Sequence, residues 1–453
     1  MIKNFISLSI RSIKKQKGYA IVNIFGLSLG IACCVLIFSY VHHELNYDNY
    51  HQDAGRIYRV EFYHQSQTGE FYSNSVPGPV EPILAESCPQ IEKMTRMIPP
   101  FENRKNVLIQ HGENSYFETN LYFTTPEVFD IFKYEFIFGD ELTALNDPND
   151  LVITESMAMK YFGELNVIGK RLNIEIDYDW YIPVVREDYE ITAVIRDTPS
   201  NTHIPVSMLL SESTIKKHLP WLDEYWRDYH SKYTYIKLKK DTEVASLHTQ
   251  LEQLSDHYHE EYKKYTDRTW LNNYFYLQPL TKIHTDKNVK YKIIPEANTY
   301  HIQIYSLIAL VVLLIGCLNF INMSVSVGIK NIKQLGIRKI VGAGKRHLVW
   351  QCYAESFIYA LMSFLLAFCL MELLLPFFNQ LTGAEMKLGA FFNLNVILAS
   401  VCFLALIVFL SGSYNAFVLT NIKSANILRG NLLTQGKGSF LQKILVIIQF
   451  TVI

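Results

Sequence analysis

Long uncharged stretches alternate with mixed polar and apolar segments along this chain. Residues 19–41 contain no charged side chain, and the uncharged runs at 302–329 and 388–422 are longer still. A helix rises about 1.5 Å per residue, so each of these three runs exceeds the roughly 30 Å hydrocarbon core of a bilayer. A fourth stretch, 347–375, is apolar apart from two acidic residues. The pattern predicts four transmembrane helices, at 19–41, 301–329, 347–375 and 394–420.

Residues 42–300 have the pattern of a folded domain outside the membrane. Runs of alternating or β-branched residues predict strands, and apolar residues at spacings of three and four predict helices. The predicted strands are 56–63, 151–154, 189–196 and 233–239. The predicted helices are 80–87, a helix after Thr154 that ends at Gly163, and 243–265. The fold class is therefore a membrane protein with a large α+β domain inserted between its first and second spans.

The distribution of charge orients the spans. The chain has 42 basic and 43 acidic residues, but 42–300 carries a net charge of −14 and the remainder +13. Basic residues concentrate on the cytoplasmic side of membrane proteins. This rule places an amphipathic helix (1–18), a loop (330–346) and a linker (421–443) in the cytoplasm, and 42–300 and the short loop 376–393 outside.

Composition excludes several classes of protein. Disorder is excluded because 49% of residues are hydrophobic, and a disulfide scaffold because the 453 residues include only 7 cysteines. Balanced charge and the acidic exterior argue against nucleic acid as a partner. The first span also permits a cleaved signal peptide or lipidation at Cys33 or Cys34, but its length and basic flank favour a retained helix.

Candidate chemistry is sparse. Gly342, Gly344 and Lys345 resemble the end of a phosphate-binding loop, but the preceding glycine and the following Ser or Thr are missing, so we expect no nucleotide site in this chain. No metal-ligand spacing and no catalytic motif is present in the sequence, so we expect neither a metal site nor catalytic residues. Gly26 and Gly30 predict close helix packing.

Glu355 is an acidic residue within the third predicted span. Intramembrane acids are functional candidates, but a structural pairing with Lys345 or Arg346 near the interface is the favoured interpretation.

Several segments together resemble one family. KGYAIVNIFGLSLGIA at the first span and LLIGCLNFINM at the second are similar to the MacB-type, FtsX-like permease subunits of bacterial ABC systems. The resemblance rests on the order and spacing of the segments and covers nearly the whole chain. The other similar segments are 47–62, 147–163, 167–172, 191–203, 277–286 and 333–357.

The resemblance implies a mechanism and a set of residues. Such permeases work with a separate cytoplasmic ATPase that binds ATP and Mg²⁺, and they transmit its motion to a MacB-like periplasmic core domain, here 42–300. The cytoplasmic segment departs from the family pattern at Gln334, where Glu is common. The ATPase-coupling residues that the resemblance implies are Lys333, Gln334, Gly336, Arg338, Lys339, Gly342 and Lys345.

The predicted function is a non-catalytic permease subunit in the bacterial inner membrane, with its N-terminus in the cytoplasm. It would couple ATP hydrolysis to efflux of peptides or toxic compounds, to lipoprotein release or to control of a cell-wall enzyme. An alternative is a receptor or scaffold without an ATPase, and a membrane hydrolase is a third. Residues 444–453 resemble the start of a fifth helix, so we expect a second permease half, as a dimer or as further chain. The sequence also leaves open a partner in the periplasm or the outer membrane.

Overall fold

The computed structural model describes residues 17–66, 69–100, 107–176, 184–224, 226, 232–264, 272–286, 299–340, 344–382, 386, 389 and 394–420. The chain divides into two compact units: a membrane unit, 1–42 with 300–453, and a core unit, 43–299. The predicted linker 421–443, the predicted fifth helix 444–453 and all but the last two residues of the predicted amphipathic helix 1–18 lie outside the described residues.

The described helices are α1 (Lys17–Leu45), α2 (Val80–Ser87), α3 (Val128–Ile131), α4 (Glu155–Phe162), α5 (Glu212–His218), α6 (His248–Lys263), α7 (Thr299–Ile340), α8 (Lys345–Thr382) and α9 (Leu394–Thr420). The described strands are β1 (Ile57–Ser66), β2 (Gly69–Ser73), β3 (Ile91–Ile98), β4 (Val107–His111), β5 (Asn114–Glu118), β6 (Leu121–Thr124), β7 (Phe136–Phe138), β8 (Asp150–Thr154), β9 (Arg171–Ile176), β10 (Val185–Ile195), β11 (Met208–Ser211), β12 (Tyr233–Leu238) and β13 (Asn272–Pro279).

A single mixed sheet organises the core unit. The strand order is β13-β1-β12-β3-β6-β11-β8-β10-β9-β4-β5, with β2 paired to β1 and β7 to β10. The pairs β8/β10 and β6/β11 are parallel, and the other pairs in the described residues are antiparallel. The prediction of an α+β domain is confirmed. The unit covers 43–299, where the sequence predicted 42–300.

The elements that the sequence predicted in this unit are present. α2 has the predicted bounds, and α4 ends at Gly163, whose φ of 71° is the left-handed conformation that glycine adopts at helix ends. The predicted helix 243–265 is a short 3₁₀ turn, Val244–Leu247, followed by α6. The four predicted strands correspond to β1, β8, β10 and β12.

Three apolar clusters cover the two faces of the sheet. Two of them carry helices of seven or more residues, and the third includes the four-residue α3. In the first, α2 and α6 pack on β1, β12 and β13, around buried residues such as Leu84 and Tyr258. In the second, α4 and α5 pack on β8, β10 and β11, around Ala158 and Ile215. The third cluster is formed around Phe132, Leu209 and the inner residues of β8 and β10.

The membrane unit contains α7, α8, α9 and most of α1. Their shared apolar cluster includes Leu27, Phe320, Ala360 and Ile407. α1 and α7 approach closely where glycines meet, since a Cβ added to Gly30 would lie 3.5 Å from Cα of Gly316. Helices cross at short distance only where side chains are this small.

Three of the helices in the described residues are long and apolar enough to cross a bilayer, namely Lys17–Leu45, Ile302–Asn322 and Arg346–Thr382. α9 covers the fourth predicted span, but its continuous described apolar stretch, Ser400–Leu410, is shorter than a bilayer requires. The fourth crossing therefore stays a prediction.

Parts of two segments predicted as loops are helical in the structure. Residues 330–340 of the predicted cytoplasmic loop continue α7 as helix, and 376–382 of the predicted external loop continue α8. Both extensions keep the backbone hydrogen bonded within the helix. An internal Gly336 costs a helix only about 1 kcal/mol, too little to end it by itself.

Candidate functional site

The last turn of α1 is joined to two distant segments of the core unit. Nε2 of His284 lies 2.9 Å from Oε2 of Glu44, and both side chains are buried. The ring of Tyr47 stacks on the imidazole of His284 with the centroids 3.4 Å apart. His43 contacts the other carboxylate oxygen of Glu44 at 3.6 Å and the hydroxyl of Ser200 at 3.2 Å. The end of the helix is therefore held near residues 200 and 284.

Asp48 anchors the residues that follow the helix. Its fully buried carboxylate accepts hydrogen bonds from the Thr202 hydroxyl at 3.0 Å and the backbone N–H of His203 at 3.1 Å. Nδ1 of His203 lies 2.9 Å away, and the backbone N–H of Asp48 donates to the carbonyl of Asn201. Burial raises the pKa of Asp48, but the charge and hydrogen bonds of His203 outweigh burial and hold that pKa below its ordinary value.

The network continues from His203 across the sheet. The hydroxyl of Tyr235 on β12 lies 2.7 Å from Nε2 of His203 and also interacts with Arg59 on β1. The tautomer of His203 sets the direction of the hydrogen bond between Nε2 and the Tyr235 hydroxyl. Arg59 in turn donates to Glu61 at 2.8 Å, and Tyr276 on β13 donates to Glu61 at 2.6 Å. We call the chain of groups from Asp48 to Tyr276 the junction network.

His51 packs beside this network as a neutral imidazole. Its Nδ1 accepts a hydrogen bond from the backbone N–H of Lys133 at 3.0 Å, so its proton resides on Nε2, 3.9 Å from Asp48. Its ring contacts Phe132. Burial lowers the pKa of His51 to about 4, although Asp48 opposes this shift. The imidazole therefore stays uncharged at neutral pH.

The junction network positions backbone segments. Its members are buried except for the half-buried Tyr276, and they are linked to one another by hydrogen bonds. Residues 43–51 are thereby fixed against 200–203 and 284. Any displacement of the end of α1 has to break these bonds or carry those segments with it. The network is thus suited to transmit displacement.

Sequence reasoning missed the junction network, although it had singled out the three segments that form it. Asp48 belongs to the family-like run 47–62, His203 to 191–203 and His284 to 277–286. The available signal was the presence of histidines and an aspartate inside segments that resemble the family. Their pairing could not be read, because the partners are 155 and 240 residues apart.

The predicted coupling residues lie at the end of α7 and the start of α8. The helix carries Lys333, Gln334, Gly336, Arg338 and Lys339, and Lys345 is the first residue of α8. Gly342 lies outside the described residues. Their role in binding an ATPase stays a prediction.

The other predicted residues lie within the membrane unit. Gly26 faces α7, where a Cβ would meet the Asn319 amide nitrogen at 2.9 Å, and Gly30 meets Gly316. Glu355 is half-buried on α8, and its role stays a prediction. Among the described residues, no group of three or more His, Cys, Asp or Glu side chains is placed to hold a metal ion.

Comparison with known proteins gives a family for both units. The MacB-like periplasmic core domain matches residues 20–254, just over half of the chain, and the FtsX-like permease C-terminal domain matches 306–423. No curated protein matches the chain.

Solved structures similar to this chain include three permease-related domains. A domain of a protein assigned as a permease from Porphyromonas gingivalis has 22% identity and a TM-score of 0.41, covering 55% of this chain and 97% of that one. The periplasmic region of MacB from Actinobacillus actinomycetemcomitans has 12% identity and a TM-score of 0.31, covering 50% and 90%. The extracellular domain of the noncanonic ABC-type transporter YknZ from Gram-positive bacteria has 12% identity and a TM-score of 0.31, covering 47% and 97%.

Apolar helices joined to a mixed α+β domain indicate a membrane protein with a large domain outside the apolar segments. With its two matched domains, the chain belongs to the family of MacB/FtsX-type ABC permeases. That family implies an ABC transporter permease subunit, a generally non-catalytic component whose partner is an ABC ATPase.

Proposed function

We propose that this permease transmits conformational change, driven by ATP hydrolysis on a separate cytoplasmic subunit, to its core unit on the outer side of the bacterial inner membrane. ATP and Mg²⁺ are bound by that subunit. The outcome at the core unit is efflux of a peptide or toxic compound, lipoprotein release or control of a cell-wall enzyme. A second permease half completes the working assembly.

The continuity of α7 supports this proposal most directly. The helix begins at Thr299, where the core unit ends, and continues without interruption to Ile340. Its 42 residues correspond to a length of about 63 Å at 1.5 Å per residue, about twice the hydrocarbon core. One rigid element therefore connects the end of the core unit to the basic segment that carries Arg338 and Lys339.

The junction network provides a second connection. α1 crosses the membrane and ends at Leu45, and the residues around that end are bonded to segments 200–203 and 284 of the core unit. Movement of α1 along or about its axis would be passed directly to the sheet through Tyr235 and Arg59.

The experiment reverses the charge of the proposed ATPase contact. The double variant Arg338→Glu, Lys339→Glu is purified from its native membranes, and the co-purified ATPase and its vanadate-sensitive ATP hydrolysis are measured. Reversing charges at an interface between complementary charges weakens association. We therefore expect the double variant to lose both the co-purified ATPase and its ATP hydrolysis. Lys240→Glu, an exposed lysine of the core unit, is the control with the same kind of charge change.

Unchanged ATPase association and hydrolysis in the double variant would overturn the docking assignment. A wild-type chain that purifies from those membranes with no ATPase and no hydrolysis would instead favour the receptor or scaffold alternative.

A further inference from the structure

A cluster of charged side chains separates two apolar clusters of the core unit, that of α2 and α6 and that of α4 and α5. Met94, Arg96 and Ile98 lie on the same face of β3, because alternate residues of a strand share a face. Met94 packs into the cluster of α2 and α6, and Ile98 belongs to the cluster of α4 and α5. Arg96 stands between them and is only 3% exposed.

Three carboxylates surround Arg96. Glu212 binds it with two hydrogen bonds, of 2.9 and 2.5 Å, from the first turn of α5. Glu81, in the first turn of α2, lies 3.0 Å from Nε, and Asp223 lies 2.5 Å from Nη2. Lys216 contacts both Glu212 and Asp223. The Arg96 cluster, as we call these five side chains, joins α2 to α5 through β3.

The charges of the Arg96 cluster do not balance when all five groups are ionised. Three negative charges face two positive ones. Arg96 and Glu212 are buried and Glu81 is 19% exposed, whereas Asp223 and Lys216 lie at the edge of the site and are 34% and 44% exposed. An uncompensated charge at a site removed from water is costly, so uptake of one proton by a carboxyl is favoured. Arg96 and the amine of Lys216 keep their charges, since neighbouring carboxylates raise the pKa of both despite burial.

Glu81 is the carboxyl that takes the proton. Burial raises the pKa of Glu81 to about 7, with Glu212 and Asp223 adding to the rise and Arg96 and Lys216 opposing it. Glu212 and Asp223 have lowered pKa values because Arg96 outweighs the effect of burial on each.

α6, the other helix packed near α2, contributes the buried side chains Leu251, Leu254 and Tyr258 to the cluster that it shares with α2. In the part of the chain that the structure describes, the charged groups that face Glu81 are therefore those of β3, α5 and the segment after α5.

The backbone segments next to the Arg96 cluster are closely packed. A Cβ added to Gly78 would collide with the carbonyl of Leu222, so the chain entering α2 lies directly against the chain leaving α5. Lys232 is buried and donates to the same carbonyl at 3.0 Å. Repulsion within the Arg96 cluster therefore acts on two backbone segments that are already in close contact.

We propose that the Arg96 cluster is a proton-dependent contact between α2 and α5, which is closed when Glu81 is protonated and loosened when Glu81 ionises. The consequence is that the cluster of α2 and α6 separates more readily from the cluster of α4 and α5 as the pH outside the membrane rises through neutrality. This property belongs to the core unit alone and does not depend on an ATPase.

The sign follows from linkage. Glu81 has a higher pKa in the closed form than its ordinary value of 4.5 in an open form, so closure is favoured fully below pH 4.5. The favourable contribution declines as pH rises and is lost as pH passes about 7. With a Glu81 pKa of 4.5 in the open form and about 7 in the closed form, the equilibrium constant for opening rises by about tenfold between pH 6 and pH 8.5.

Hydrogen exchange of the full chain in lipid nanodiscs tests the proposal. Protection of the segments 80–87 and 212–218 is measured from pH 6 to pH 8.5 and corrected for the intrinsic exchange rate. We expect a fall of about tenfold in the wild type and of less than about twofold in Glu81→Gln, which mimics the protonated group. Glu86→Gln, an exposed change on the same helix, should keep the wild-type fall.

Asp223→Asn provides a second, independent variant. It leaves two carboxylates opposite two cations, so Glu81 ionises with less opposition and the fall in protection over this pH range should be smaller than in the wild type, although burial of Glu81 remains. A wild type without pH dependence, or a full tenfold fall that persists in both Glu81→Gln and Asp223→Asn, would overturn the proposal.

Discussion

Asp48 and His203 are 155 residues apart in the chain, yet Nδ1 of His203 lies 2.9 Å from the Asp48 carboxylate in the interior of the core unit. The pair stands just after α1 and opens the junction network, which crosses three strands to Tyr276. It therefore joins the residues that follow α1 to the centre of the sheet.

Asp48→Asn should destabilise the core unit by about 1.5 to 3 kcal/mol, because hydrogen bonds to a charged group are lost while His203 stays buried. Chemical denaturation of the full chain in detergent measures this. Asp241→Asn is a matched control, since Asp241 also has a left-handed φ, of 62°, but is exposed. Equal stability of the two variants would show that the Asp48 charge contributes nothing.

Mild acid should weaken the core unit through His51. Its folded pKa of about 4 is below the ordinary 6.5, so its contribution is present above pH 6.5 and declines as pH falls towards 4. The full loss corresponds to about 3 kcal/mol.

Denaturation of the full chain at pH 7 and pH 4.5 compares the wild type with His51→Asn, whose amide oxygen can accept the Lys133 N–H in place of Nδ1. We expect a smaller acid loss in the variant. An identical loss would place the acid sensitivity in another group.

Gly30→Leu should separate α1 from α7, whereas Gly30→Ala should be tolerated. A Cβ at Gly30 has ordinary contacts of 3.5 Å, but a longer side chain would enter the space of Gly316. Overpacking of this kind costs about 1 to 3 kcal/mol. Thermal inactivation in detergent measures the effect, and Gly18→Leu, at a position with nothing within 4 Å, is the control in the same helix.

Asn331→Pro should uncouple the permease while leaving the ATPase bound. Proline inside a helix removes a hydrogen bond and costs about 3 kcal/mol, so α7 would kink between its apolar part and its basic end. The ratio of permease-stimulated ATP hydrolysis to bound ATPase is the measurement, with Asn331→Ala as control. Retention of full stimulation would argue that α7 does not need to be continuous for coupling.

Local features of this fold could be predicted from sequence, and features that depend on distant partners could not. α2, α4 and the strands β8 and β12 follow from the spacing of apolar residues and from a terminal glycine, all read within a few residues. β3 was missed because its first residues are exposed and its buried Arg96 resembles a surface charge. The candidate coupling residues came from resemblance, whereas the junction network came from the structure alone.

The sequence by itself determined that the chain enters a membrane, where its apolar helices lie, that an acidic α+β domain interrupts them, and which family it belongs to. The first three depend on composition and on local periodicity, because helix length and burial follow from neighbouring residues, whereas the family came from the resemblance of several segments and was confirmed by the two matched domains. Only the tertiary structure decided that α7 continues to Ile340, that the end of α1 is held by His284, and that Arg96 collects three carboxylates. The buried charges are tolerated only where distant segments bring partners within hydrogen-bond distance, and that matching is a property of the folded chain.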